Sequence, residues 1–328
     1  MTANADLGVA CCYFNPCNYE SKYNNFIKFY TKLYTQVNKI VVVEVIYPFS
    51  KTQLPSYIDS LKIYCDKPFW HKENAINIGI KNLIDLNYSY VAWLDADIVF
   101  EDSSWVSKAI DKLKTNAICQ LFSSARILDS YGYEKKSQGC VSYWSKTGNI
   151  LPIDTSFSTG YAWAAKSTLF KNLKLYDKCI IGGADSLLWL ALFYSNRFNN
   201  LLKKHPFNFL DIDIFLQDYL FWAKKWGSLI GGNFGFLDTE ITVLNHGSFS
   251  DRQYASRYCH LSIHKYNPVV DTFYDEGILR VSNIKLLNSI FNYFKSRKED
   301  GNFLMLNLRK KIESFKSFMT LMSIDKRL

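Results

Sequence analysis

Short runs dense in Val and Ile alternate along the chain with longer stretches whose apolar positions recur every three or four residues. Val9–Phe14, Ile40–Ile46, Leu61–Cys65 and Tyr90–Leu94 are of the first kind and predict buried strands. Tyr23–Tyr34 carries Phe26, Ile27, Tyr30, Leu33 and Tyr34 at helical spacing, and Lys72–Leu86 carries Ile76, Ile80, Leu83 and Ile84 on one stripe. Both predict helices. Strand–helix alternation of this kind makes a mostly parallel sheet with helices on its faces. Ligands in such sheets bind beyond the carboxyl ends of the strands, where Asp95 and Asp97 follow Leu94.

Further along, Trp105–Leu113 predicts a helix and Ala117–Phe122 a strand. Ser123–Phe157 is polar, Gly-dotted and aperiodic, and reads as a long loop or small subdomain over the site. Asp185–Tyr194, Phe215–Trp226 and Arg252–Ile263 predict helices, and from Asn283 onward the pattern is helical throughout. There Leu304, Leu308, Ile312, Phe315 and Met319 form one stripe opposite Arg309, Lys310, Lys311 and Lys316. The expected organisation is an α/β domain over residues 1–265, followed by a basic, amphipathic helical extension over 266–328.

Composition adds little about ligands. At 328 residues, 48% hydrophobic and 16% aromatic, the chain can bury a substantial core. Its aromatic surplus serves a sugar platform or a Phe- and Tyr-rich core equally well. The net charge of +9 is concentrated: residues 281–328 hold ten Lys and Arg against four Asp and Glu. The nearly balanced remainder argues against a nucleic-acid-binding body. The basic tail suits an acidic partner, peripheral contact with an anionic membrane, or a solvated helix face. Eight cysteines form no C-x-x-C pair and no zinc spacing, and Cys65 and Cys119 read as small core residues. No secretory signal is visible before Leu7, and the longest apolar run, Leu187–Tyr194, is too short to span a bilayer. A soluble, cytoplasmic protein is the expectation.

The candidate chemistry centres on Trp93-Leu94-Asp95-Ala96-Asp97-Ile98. Two carboxylates one residue apart at a strand end can serve a divalent metal and a ribose together. A metal bound by oxygen ligands neutralises a departing diphosphate. The triplet alone is weak, and Asp211-Ile212-Asp213 repeats it. That second copy opens a helix-like run, where Asp is common as a cap, so position favours the first.

With Trp70-His71-Lys72-Glu73-Asn74-Ala75-Ile76-Asn77-Ile78-Gly79 leading into Val91–Asp97, the chain resembles the GT-A glycosyltransferases. It is most similar to the β-1,4-galactosyltransferases and the broad family-2-like group. The resemblance implies the GT-A fold and a hexosyltransferase acting on a UDP-sugar, with Mn²⁺ or Mg²⁺ as cofactor. It implies that Trp70 stacks on uracil, that Lys72 faces the phosphates and that Asn77 belongs to the same nucleotide-sugar block. Asp95 and Ala96 would meet the ribose and donor, Asp97 would hold the metal, and Asp95 would stand by as a further ligand. Tyr13, Phe14 and Asn15, ending the first strand, fall where the family contacts the nucleotide. A hydrophobic plug at a helix start is the plainer account of Trp70.

The acceptor side of the resemblance is carried by Ser158-Thr159-Gly160-Tyr161-Ala162-Trp163 and Ile181-Gly182-Gly183-Ala184-Asp185. It implies acceptor contacts at Gly160, Tyr161, Trp163, Gly182 and Gly183, and a base at Asp185 for inverting transfer to a glycan, glycoprotein or glycolipid hydroxyl. Physical chemistry agrees that a carboxylate at a helix N-terminus, behind two glycines, is placed to deprotonate a substrate. It is equally placed to be a helix cap. Ala184 stands where the family has an acid, and Ile181 where it has a Trp. His246 in Asn245-His246-Gly247 would complete the metal shell, although Val243 replaces the family's Met. Arg252 could pair with diphosphate, or cap a loop. A retaining transferase and a non-catalytic sugar-binding protein remain open. A sugar-nucleotide pyrophosphorylase would need a Gly-rich loop that Cys11–Cys17 lacks.

Overall fold

The computed structural model describes residues 6–49, 53–147, 156–193, 213–248, 250–254 and 256–300. Its centre is a seven-stranded sheet built on β1 (Leu7–Tyr13), β2 (Ile40–Ile46), β3 (Ser60–Tyr64) and β4 (Tyr90–Leu94). These four run parallel in the order β3-β2-β1-β4, with Val9 opposite Ile40 and Ala92. Helices α1 (Glu20–Tyr34) and α2 (Lys72–Asp85) make the crossovers. β1, β2 and β4 are apolar almost throughout because both of their faces are covered.

Alternate residues divide the core in two. Ala10, Val41, Val43 and Trp93 pack with Ile76, Ile80 and Leu83 of α2, while Val9, Cys11, Val42 and Ala92 pack with Phe26, Phe29 and Leu33 of α1. Gly79 lets α2 approach closely, since a β-carbon there would lie 3.0 Å from that of Ala10.

Beyond β4 come β5 (Ile98–Phe100), α3 (Trp105–Thr115) and β6 (Ile118–Gln120). Residues 123–147 are not a loop. They form β7 (Ser124–Leu128) and β8 (Glu134–Cys140), which join a five-stranded second sheet, followed by the helix α4 (Val141–Thr147). The sequence hid β8 because most of its residues face solvent, leaving Gln138 and Cys140 as the buried positions. After β9 (Phe157–Ser158), β10 (Ala162–Lys166) enters the large sheet antiparallel to both β4 and β6.

Helix α5 (Ala184–Ala191) starts at the glycine pair, and α6 (Asp213–Ile230) packs against it. Asp213 is exposed on the first turn of α6, while Asp211 and Ile212 lie outside the described residues. β11 (Phe234–Phe236) completes the large sheet and β12 (Glu240–Val243) the second, between β5 and β7.

The helix expected over Arg252–Ile263 is confined to α7 (Cys259–Ile263). Residues 250–254 and 256–258 are turns, and Gln253 at φ 51° breaks helical continuity. A hairpin, β13 (Thr272–Asp275) and β14 (Ile278–Val281), was hidden by its exposed strands. Its Glu276-Gly277 link has positive φ at both residues, as a tight two-residue turn requires. Last comes α8 (Ile284–Ser296), capped by Asn283, whose side chain accepts from the Leu286 amide at 3.1 Å. The apolar stripe expected from Leu304 onward lies outside the described residues. Among those described, no helix is long and apolar enough to cross a membrane.

Candidate functional site

Two carboxylates distant in sequence meet on one lysine at the carboxyl ends of the parallel strands. Lys72 opens α2, and its Nζ lies 2.6 Å from Asp95 Oδ1 and 2.9 Å from Asp185 Oδ2. A second bond to Asp185 Oδ1 spans 3.1 Å, and Glu73 Oε1 lies 4.0 Å away. Gly160 fits between the acids: a β-carbon there would stand 3.2 Å from Asp185 Oδ2 and 3.6 Å from Asp95 Oδ2. Next to it Tyr161, at φ 71°, donates its amide to Asp95 Oδ2 at 3.2 Å, and its carbonyl accepts from the Asp95 amide at 2.8 Å.

Crowded acids shift one another. Burial raises Asp95 to about 6, with Asp185 and Asp97 adding to the rise and Lys72 opposing it. Burial pushes Glu73 to about 8, only partly countered by Lys72. Lys72 itself is held well above its ordinary range: burial disfavours the ammonium, but Asp185, Asp95 and Glu73 outweigh it.

A second cluster adjoins the first. Asp97 Oδ2 lies 2.7 Å from His246 Nε2, and Arg252 Nη1 lies 2.8 Å from the same nitrogen. That nitrogen cannot donate to Asp97 and accept from Arg252 at once. Burial and Arg252 push His246 down, but Asp97 and Glu299 outweigh them and raise it to about 8. Asp97 is lowered, because the His246 charge and hydrogen bond overcome its burial. Behind the imidazole, Glu299 lies 3.7 Å from Nδ1, 2.8 Å from Arg297 Nε and 3.6 Å from Lys22 Nζ.

Asp97 Oδ1 is buried and takes no hydrogen bond. A free carboxylate oxygen beside an imidazole suits Mn²⁺ or Mg²⁺ whose shell is completed by phosphate oxygens and water. Asp95 is not brought into that pair, since Lys72 and the Tyr161 amide occupy its two oxygens. Among the described residues no group of three or more His, Cys, Asp or Glu could hold a metal by itself.

Other expected residues are distributed unevenly. Trp70 is packed by its own chain, stacked at 6.2 Å on Phe294 and edge-on at 5.5 Å to Phe14, with Arg297 5.4 Å from its ring centre. Gly182 lies against the same indole, and a β-carbon there would fall 2.8 Å from the ring. Gly183, at φ 102°, is pressed by the Tyr258 hydroxyl. Tyr13 and Asn15 form a separate network with Gln53: the Tyr13 hydroxyl donates to Gln53 Oε1 at 2.5 Å, and Asn15 Nδ2 does so at 3.1 Å. Ala96, half-buried, links the two aspartates.

Two of the expected residues stand apart. Asn77 spends both amide groups on the Leu175 backbone, at 2.8 and 3.0 Å, tying α2 to the loop before α5. Trp163 is 1% exposed and donates to the Thr159 carbonyl, so it supports the Gly160 turn from inside the core.

Glu73, Arg257, Arg297 and Glu299 were not singled out by sequence reasoning. An acid in a first helical turn reads as an ordinary partner of the helix dipole. Residues 297–300 fall in the stretch expected to be helical with a solvated basic face, yet they lie outside any helix, and Arg297 and Glu299 are both 1% exposed.

No protein-family model matches the chain, and no curated protein matches it significantly in sequence. Its structure is similar to solved nucleotide-sugar-dependent transferases. One is the catalytic domain of Drosophila β1,4-galactosyltransferase 7 in complex with xylobiose, at 11% identity and TM-score 0.30. That match covers 56% of this chain and 59% of the Drosophila chain, less than two thirds of its length. S. aureus TarS 1–349 matches at 10% identity and TM-score 0.36, over 91% of this chain and 74% of that one. Mycobacterium tuberculosis glucosyl-3-phosphoglycerate synthase, in complex with Mn²⁺, UDP-glucose and phosphoglyceric acid, matches at 11% identity and TM-score 0.36. It covers 80% of this chain and 78% of that one. Likenesses this distant do not bear on chemistry, and the functional reading rests on the residues of this chain.

Proposed function

We propose that this chain is a glycosyltransferase that moves a hexose from a UDP-sugar to a hydroxyl acceptor with a divalent metal. One observation carries the reading: Asp95 and Asp185 converge on Lys72 over Gly160 at the strand ends, with Asp97 and His246 beside them. A purely structural ion pair does not need a bare glycine turn between two acids, nor a buried carboxylate oxygen left without a donor.

In this reading Asp95 and Ala96 face the ribose and Tyr13, Phe14 and Asn15 lie on the nucleotide side, with Trp70, packed against Phe294 and Gly182, supporting that side from within. Asp97 and His246 hold Mn²⁺ or Mg²⁺, whose charge offsets the diphosphate when bound. Lys72 and Arg252 face the same diphosphate. Asp185 accepts the proton of the acceptor hydroxyl as the hydroxyl attacks the anomeric carbon. Lys72 occupies both of its oxygens in the free protein, so in this reading the ammonium moves onto the diphosphate as the acceptor hydroxyl takes its place. With an α-linked donor the product is β-linked.

The same Lys72–Asp185 pair favours one alternative. If the lysine stays in place, Asp185 only orients the acceptor, whose hydroxyl attacks from the face that the diphosphate leaves and gives its proton to a departing diphosphate oxygen as the bond from the anomeric carbon to UDP breaks, so that transfer proceeds with retention. Product stereochemistry by NMR separates the two. The test of the whole reading is a nucleotide-sugar panel followed by thermal shift, with and without Mn²⁺. A UDP-sugar should raise the melting temperature in a metal-dependent way and be slowly hydrolysed. A panel in which no nucleotide sugar binds or turns over contradicts it.

A further inference from the structure

Among the described residues, no acid answers Arg257, a buried cation beside the site. Arg297 has Glu299, and Lys72 has Asp95 and Asp185. Arg257 is 8% exposed, and its Nη2 donates to the Tyr258 hydroxyl at 2.7 Å. The guanidinium lies 4.7 Å from the ring centre of Tyr254, 4.8 Å from that of Tyr258 and 5.9 Å from that of Trp70. Its Nε is buried without an acceptor, and among the described residues no carboxylate lies within salt-bridge distance. Aromatic faces offset only part of the cost of burying such a charge. A fold that buries a guanidinium with no carboxylate partner among its described residues is prepared for an anion.

Position indicates which molecule brings that anion. A β-carbon on Gly182 would lie 3.0 Å from Arg257 Nη1, and one on Gly183 would lie 2.9 Å from Nη2. The two glycines, at φ 87° and 102°, therefore let the guanidinium lie against the backbone just before α5, whose second residue is Asp185. Helix α5 also starts with no side-chain hydrogen bond to its first amides, so the positive end of its dipole adds to the same field. Arg252, in contrast, sits on the metal side, with Nη1 2.8 Å from His246 Nε2 and its charge acting on Asp97.

We propose that the acceptor carries an oxyanion, a carboxylate or a phosphate, and that Arg257 binds it beside Asp185. This rests on the reading of Asp185 as the acceptor-side carboxylate. A planar guanidinium fork matches either oxyanion at two points, which a neutral hydroxymethyl group cannot exploit. Fixing the acidic group there presents a neighbouring hydroxyl to Asp185, making Arg257 a specificity-determining residue.

The test uses the full chain, its donor UDP-sugar and Mn²⁺, with matched acceptors. Glucose, galactose and mannose are each compared with their uronic acid and their 6-phosphate. At least one acidic member should exceed its neutral partner about tenfold or more in kcat/KM, the scale of a hydrogen bond to a charged group. The uronate and phosphate arms then tell which oxyanion is read. Arg257→Gln should collapse that ratio toward one through the acceptor KM, and Arg257→Lys should restore only part of it. If no acidic member outperforms its neutral partner in wild type, the proposal is wrong, and that comparison needs no variant. It is equally wrong if Arg257→Gln leaves the ratio intact or raises only the KM for the UDP-sugar, which would assign the guanidinium to the donor. Absence of any donor hydrolysis by wild type would instead sink the transferase reading itself.

Discussion

Asp185 is held at both oxygens by Lys72, on the first turn of a helix whose N-cap offers no side chain. As a base it must be able to accept a proton, which its amide isostere cannot. Asp185→Asn should therefore lower kcat for transfer by ~10²–10⁴, the usual worth of general-base assistance. Donor KM should change little, because the nucleotide side is built from other residues. A residue that only caps α5 predicts near-wild-type turnover, since Asn caps about as well as Asp. At this scale the sequence pointed to Asp95, Asp97 and Asp185, because strand ends and glycine pairs are visible in the pattern, while Lys72 entered only through the family resemblance. It could not show that Lys72 lies between the two acids, nor that Arg257 turns inward. Such contacts arise from tertiary packing between segments far apart in the chain.

At the scale of elements, the Gly182-Gly183 turn sets the approach of α5 to the site. Gly183 combines a φ of 102° with the Tyr258 hydroxyl pressed against the space a side chain would fill. Gly183→Ala should lower stability by about 1–3 kcal/mol through backbone strain alone, with further loss from displacing Tyr258. Chemical denaturation measures it, and an unchanged midpoint would mean that the turn relaxes freely. Of the strands with both faces buried, Ile40–Ile46 and Tyr90–Leu94 fall where their apolar runs end, whereas β1 begins two residues before the expected Val9 and stops one short of Phe14. β8 and the β13–β14 hairpin escaped notice because a half-solvated strand carries charge and little apolar signal. The Arg252–Ile263 stretch misled in the other direction. Its Tyr, Arg and Leu positions repeat at helical spacing, but Gln253 at φ 51° turns the chain instead.

Across the whole molecule, the chain after α8 is joined to the site by Glu299, which is 1% exposed and bridges Arg297, Lys22 and His246. Burial opposes its charge, but Lys22, Arg297 and His246 outweigh that and hold the carboxyl well below its ordinary 4.5. A depressed acid stabilises the fold above its unfolded pKa, and that contribution drains away as the pH falls below about 4.5. Glu299→Gln should therefore cost about 3–5 kcal/mol at neutral pH, by leaving Arg297 buried without its partner. It should also flatten the acid limb of stability between pH 5 and 3 relative to wild type, both read from denaturant titrations. An equally steep acid limb would show that other carboxylates set it.

The central claim is that the strand-end acids form a metal-dependent nucleotide site, and calorimetric titration of UDP with and without Mn²⁺ tests it most directly. Wild type should bind UDP only with the metal, and Asp97→Ala should lose that binding while remaining folded. Asp213→Ala, altering an exposed residue on the first turn of α6, should bind as wild type does. Binding that survives Asp97→Ala but disappears in Asp213→Ala would contradict the account and place the site elsewhere.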